Sequence, residues 1–149
     1  MWVLEFLHVL FGIFWIGLLY FFNMIQVQAM PKMLEAGAAK PYTQIILPQA
    51  LFYFRYTALL TFVTGIIYFI VSRPVSPLIH VGMLLGSIMA FNVWFIIWPN
   101  QKKIIAGALE GDALNKAKRM AFLASRTNAW LSLPMLVCMV GSSHGGLSF

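Results

Sequence analysis

Four long runs of mostly apolar residues, separated by short polar or proline-rich breaks, dominate the pattern of this chain. A membrane helix needs roughly 20 mostly apolar residues. The runs over about 2–26, 49–72 and 78–98 meet that length directly. The fourth has an apolar core from Ala129 to Val140 that is too short alone, so its span reaches back to about 121 and takes in Arg126. The pattern predicts an all-α integral membrane protein, a four-transmembrane-helix bundle forming one domain over 1–149.

The breaks have different characters. Between the first two runs lie Pro31, Lys32, Glu35, Gly37, Lys40, Pro41 and Pro48, too many breakers for one uninterrupted helix. Pro74 and Pro77 bracket a tight turn, which makes the second and third spans a close antiparallel pair. The third span is expected to stop at Pro99-Asn100. Beyond it, Ile104, Ile105, Ala108 and Leu109 recur at helical spacing among lysines, predicting a helical extension over about 101–120 with a break at Gly111-Asp112. The tail from 141 to 149 reads as short and irregular.

Composition agrees with a membrane class: 61% of the residues are hydrophobic and 9% charged, against about 25% charged in a typical soluble domain. The start, Met1-Trp2-Val3-Leu4-Glu5, lacks the basic region of a cleavable signal, so the first apolar run is expected to remain. The single cysteine, Cys138, excludes an internal disulfide and a Cys-x-x-Cys-His haem attachment.

The net charge of +6 is an orientation signal rather than a nucleic-acid footprint. Lys32, Lys40, Lys102, Lys103, Lys116, Lys118, Arg119 and Arg126 all fall at the ends joined after spans one and three, and only Arg73 falls at the other. The positive-inside rule then puts both termini and the Pro74–Pro77 turn on the outer side, the periplasm for a multi-pass protein of a bacterial inner membrane, with the 101–120 extension in the cytoplasm.

That topology brings His8, His80 and His144 to one level near the outer face, His8 lying about 9 Å along the first helix at 1.5 Å per residue. An ionisable side chain inside a span is a functional-site hypothesis by default. His8 and His80 suit the axial positions of a haem b in the bundle, with His144 as a substitute or second-site ligand, one haem or two. Gly12, Gly82 and Gly86 would leave room for a flat macrocycle. Alternatively, the histidines hydrogen-bond to neighbouring helices and the glycines serve close packing, as a Gly-x-x-x-Gly pair does in many membrane bundles. Copper or zinc is a weaker fit, since the only outer-side carboxylate is Glu5, one helical turn from His8. At the inner end, Arg55 and Arg126 either hold haem propionates or another anion, or snorkel to the headgroups.

A weak internal repeat accompanies this. His8-Val9 and His80-Val81 lie 72 positions apart, and Arg55 and Arg126 lie 71 apart. The chain therefore reads as two duplicated helical hairpins about an axis along the membrane normal, or as chance likeness between apolar segments.

Several segments carry a family resemblance: His8-Val9-x-x-Gly12-Ile13-x-Trp15-Ile16-Gly17, Phe54-Arg55-Tyr56-x-Ala58, His80-Val81-Gly82, Asn92-Val93-Trp94-Phe95, Pro99-Asn100-Gln101-Lys102-Lys103, and Ser125-Arg126-x-Asn128-x-x-Leu131-x-Leu133-Pro134. Together they resemble the membrane domain of bacterial cytochrome c-linked urate oxidases, shortened to four spans. A more distant resemblance is to the four-helix membrane protoporphyrinogen oxidases. The resemblance implies a haem-binding scaffold that takes part in electron transfer, a membrane oxidoreductase if it is an enzyme. It also implies a separate periplasmic cytochrome c as electron acceptor, because Cys-x-x-Cys-His is missing here. The competing expectation is a non-catalytic accessory subunit of a larger respiratory or photosynthetic complex, partnered by other membrane subunits or a second copy.

Overall fold

The computed structural model describes residues 1–74 and 76–143, and these fold into four long helices. We number them α1, Trp2–Glu35; α2, Ala39–Ser72; α3, Pro77–Ile105; and α4, Gly111–Ser143. The first three are long and apolar enough to cross a membrane. The fourth is as long, but it carries Arg126, Asn128, Ser132 and Pro134 along the part that would cross.

Pro74 and Pro77 bracket the α2–α3 turn as the sequence pattern suggests, since α2 ends at Ser72 and α3 starts at Pro77, but the other prolines do not end helices. Pro31, Pro41 and Pro48 lie inside α1 and α2, and Pro99 lies inside α3. An interior proline loses one backbone hydrogen bond, and its ring strikes the carbonyl four residues back. At Pro48 and Pro99 those carbonyls belong to Gln44 and Phe95, and both fall in widened π-type turns, Tyr42–Ile46 and Asn92–Ile97. Widening moves the carbonyl off the ring. Just past Pro99, the Asn100 side-chain amide donates to the Ile96 carbonyl at 2.7 Å, giving that acceptor an added partner.

The ends of α1 and α3 are made by glycine. At the end of α1, Gly37 adopts φ +69, its N–H donates to the Leu34 carbonyl, and the Ala38 N–H donates to Met33. Gly107 repeats the device after α3 with φ +63 and bonds to Ile104 and from Ala108 to Lys103. Both are Schellman caps, which need a residue that tolerates positive φ. At the opposite end Arg73 takes that conformation after α2 (φ 46), its N–H bonded to Phe69.

Helix α1 packs along α2, and α3 along α4, so the bundle is two hairpins side by side. Between the hairpins, α1 meets α4 and α2 meets α3, giving a closed up-down-up-down ring. Its centre holds Trp15, Leu19, Phe22, Phe54, Met89 and Val93, with Phe22 edge-on to Phe54 at 5.3 Å. Polar residues are also buried there: Asn128 and Ser132 are both 0% exposed, whereas Trp130 and Phe95 are 69% and 68% exposed on the outside. Water-soluble bundles show the reverse arrangement. An apolar exterior around a hydrogen-bonded interior suits helices surrounded by lipid.

The buried polar groups form links across the ring. Tyr20 Oη and Ser132 Oγ lie 2.8 Å apart, joining α1 to α4. Asn23 Nδ2 donates to Ser125 Oγ at 2.8 Å and to Leu19 at 2.9 Å. Asn92 Nδ2 donates to Asn128 Oδ1 at 2.8 Å, and Asn128 Nδ2 donates to the Met89 carbonyl at 2.9 Å. In a membrane bundle such bonds hold helices together where apolar burial gives little net drive.

Candidate functional site

A cavity of about 650 Å³ opens between the two hairpins at the end that carries the N-terminus and the α2–α3 turn. Its volume falls within the range of ~300–1,000 Å³ found for small-molecule sites. All four helices line it, α1 with His8 and Trp15, α2 with Thr61 and Gly65, α3 with Met83 and Gly86, and α4 with Met135.

Among the described residues, His8 is the only imidazole that lines the cavity. Its Nδ1 lies 2.9 Å from the Thr61 carbonyl oxygen on α2. A carbonyl only accepts, so Nδ1 donates and carries the proton. The Nε2 lone pair is thereby left for a ligand, the arrangement by which metal-bound histidines are usually fixed. The ring is held closely by Gly65, where a Cβ would stand 2.7 Å from His8 Cε1. Three threonines one turn apart, Thr57, Thr61 and Thr64, face this side of α2 and turn their hydroxyls back onto carbonyls of their own helix. The wall beside His8 is therefore hydroxyl-rich in sequence but largely spent in hydrogen-bonding terms.

Two cavity-lining residues hold unspent capacity. Trp15 is 2% exposed, and its indole N–H has no acceptor among the described residues; the buried Ser72 hydroxyl likewise has no partner there. A buried donor left unpaired costs about 1–3 kcal/mol, so both groups favour a ligand with polar atoms. Glu5 lines the mouth of the cavity on the same face of α1 as His8.

The glycines divide by role. Gly86 and Gly17 line the cavity with nothing within 4 Å of a would-be Cβ, and Gly12 faces Thr61 at 3.8 Å. Gly82 does the other job, for a Cβ there would meet Cys138 at 3.2 Å and Met139 at 3.3 Å. It lets α3 and α4 approach closely.

His80 shares the end of the bundle with His8 but not the cavity. Its Nδ1 donates to the Ser76 carbonyl of its own first turn at 2.9 Å, and its ring stands edge-on to Phe69 at 5.1 Å, exposed. His144 lies outside the described residues. Among the described residues no group of three His, Cys, Asp or Glu gathers as a metal site.

Arg55 and Arg126 are not brought to the cavity either. Arg55 lies over the Trp98 ring, Cζ to centroid 3.6 Å, near the opposite end of the bundle. Arg126 is exposed on α4, its Nη1 reaching the Asn23 carbonyl at 3.5 Å. The two arginines bond differently: the Arg55 backbone carbonyl accepts from Trp94 Nε1 on α3, while the Arg126 side chain donates to the Asn23 carbonyl on α1. The arginines 71 positions apart, like the histidines 72 apart, take different environments.

Sequence reasoning missed Gly65, Trp15 as an unpaired donor, and the methionines. Only Gly65 left a signal, as a lone glycine in the middle of an apolar run.

Comparison with known proteins places the second half of the chain. No curated protein and no solved structure matched it. The family model described as urate oxidase N-terminal matches residues 71–149, a stretch that covers α3, α4 and the turn before them. The chain belongs to the urate oxidase N-terminal family.

Proposed function

We propose that this chain is a four-span protein of a bacterial inner membrane that binds haem b in the cavity between its hairpins and takes part in electron transfer. The observation that carries the reading is His8, its Nδ1 committed to the Thr61 carbonyl and its ring at the wall of a 650 Å³ cavity. The residues present fit the group. Imidazole suits iron, Gly12, Gly17 and Gly86 leave flat space, and the Trp15 N–H and Ser72 hydroxyl offer donors for carboxylate or carbonyl oxygens.

When bound, haem supplies a one-electron couple whose potential the protein tunes by ligand and burial. The chain's own contribution is to fix the tautomer and orientation of His8 through Thr61 and Gly65, and to exclude water with the apolar walls. Family membership and the outer position of the cavity support delivery of electrons to a periplasmic carrier, a separate cytochrome c. The distribution of lysines and arginines supports periplasmic termini.

The test is a reduced-minus-oxidised spectrum and a pyridine haemochromogen assay on protein purified from membranes. Haem b is expected in wild type, lost in His8→Ala and kept in His80→Ala, because His80 does not line the cavity. Protein without a Soret band, or a His8→Ala variant that keeps full haem, would sink the proposal.

A further inference from the structure

A second cleft lies at the opposite end of the bundle, between α2 and α3, with a volume of about 370 Å³. Pro48, Phe52 and Arg55 form one wall, and Trp98, Lys102 and Ile105 the other. The Arg55 guanidinium stacks on Trp98 at 3.6 Å and is flanked by Tyr56 at 5.0 Å and Phe52 at 5.6 Å. Stacking holds the planar group but uses its face, not its in-plane N–H donors. Nε and Nη1 are buried with no acceptor among the described residues. Among the described residues no carboxylate lines the cleft, while Lys102 adds a second positive charge to it.

A fixed guanidinium with unmet donors, beside a lysine and without a counter-charge, calls for an anion. We propose that this cleft binds a phosphate group, carried by an anionic phospholipid headgroup or free in solution. Arginine and lysine together suit phosphate, the first by directed N–H donors and the second as a point charge. The surroundings favour the lipid source. Phe52 is exposed at the cleft where acyl chains would run, and Trp94, Trp98 and Tyr56 form a local aromatic belt. The excess of lysines at this end marks it as the cytoplasmic side, where basic pockets between helices bind acidic headgroups. The proposal does not rest on the haem reading: the two sites lie at opposite ends of the bundle and share no lining residue.

Native mass spectrometry of detergent-purified protein, titrated with phosphatidylglycerol or phosphatidylcholine and then with inorganic phosphate, tests it. Wild type is expected to retain phosphatidylglycerol over phosphatidylcholine by about tenfold or more, and Arg55→Gln and Lys102→Gln each to lower that retention by about fivefold. Lys102 is exposed, so its replacement leaves folding intact and keeps the test valid if Arg55→Gln destabilises the bundle. Displacement of the lipid by millimolar inorganic phosphate would support the phosphate site and identify the soluble ion as a competent occupant. Equal retention of both lipids with no phosphate binding, or undiminished phosphatidylglycerol binding by Lys102→Gln and Arg55→Gln together, would overturn it.

Discussion

His8 and Gly65 fit as ring and gap across the α1–α2 interface: a Cβ at position 65 would stand 2.7 Å from His8 Cε1 and 3.0 Å from Nδ1. Glycine to alanine in a helix ordinarily stabilises by about 0.5–1 kcal/mol. Here the clash wins, because the ring cannot swing away without giving up the Thr61 carbonyl. Gly65→Ala is expected to destabilise the bundle by about 1–3 kcal/mol, the usual cost of overpacking. It should also lower the haem-to-protein ratio. Gly86→Ala is the control for stability in haem-free protein, since nothing lies within 4 Å of its would-be Cβ; unfolding midpoints of the two haem-free variants in detergent decide.

How much of this arrangement was legible in the sequence differs from residue to residue. The end of the bundle at which His8 and His80 lie followed from charge asymmetry and helix rise, and the structure brings both to the end that carries the α2–α3 turn. Which way each side chain faces did not follow. Apolar residues cover α1 and α3 on every side, so no periodicity marks their inward faces. Proline marks the α2–α3 turn correctly but not the other helix ends, because Tyr42–Ile46 and Asn92–Ile97 widen to carry the chain through Pro48 and Pro99. The four-helix plan itself needed only segment lengths, and three of the four helices meet the length and hydropathy of a span.

The Tyr20–Ser132 hydrogen bond is one of the few polar ties between the two hairpins. A double-mutant cycle with Tyr20→Phe and Ser132→Ala is expected to give a coupling of about 0.6 kcal/mol, near the average for interhelical hydrogen bonds in membranes. Both changes remove only a hydroxyl, so packing is nearly conserved. A coupling indistinguishable from zero in a denaturing-detergent titration would show that this bond adds nothing to the tie between the hairpins, leaving packing and the other polar ties, the Asn23–Ser125 bond among them, to hold them.

Asn128 has more at stake. Fully buried, it accepts from Asn92 and donates to the Met89 carbonyl, so it serves two partners on α3 from one position on α4. Asn128→Leu leaves the Asn92 amide without its acceptor and forces a branched apolar group into a polar niche. A loss of about 1–3 kcal/mol is expected. The Asn92–Asn128 pair lies deeper in the bundle than the cavity and neither residue lines it. The haem spectrum of whatever fraction stays folded should therefore be unchanged.

Trp15 separates the ligand-free chain from the loaded one. Its indole N–H is buried beside the cavity without an acceptor, so in the ligand-free chain Trp15→Phe removes an unsatisfied donor and loses only packing. In a haem-loaded chain the same change would remove a hydrogen bond from Trp15 to the ligand, worth about 0.5–1.5 kcal/mol. The variant should therefore lose more stability, relative to wild type, with haem bound than without, and haem should transfer from it to an apo-globin acceptor severalfold faster. Thermal midpoints of the two forms of each protein, measured in one detergent, give the difference directly. Equal destabilisation with and without haem would mean that the Trp15 N–H never meets the ligand, and the donor for its carboxylates would then have to be sought at Ser72.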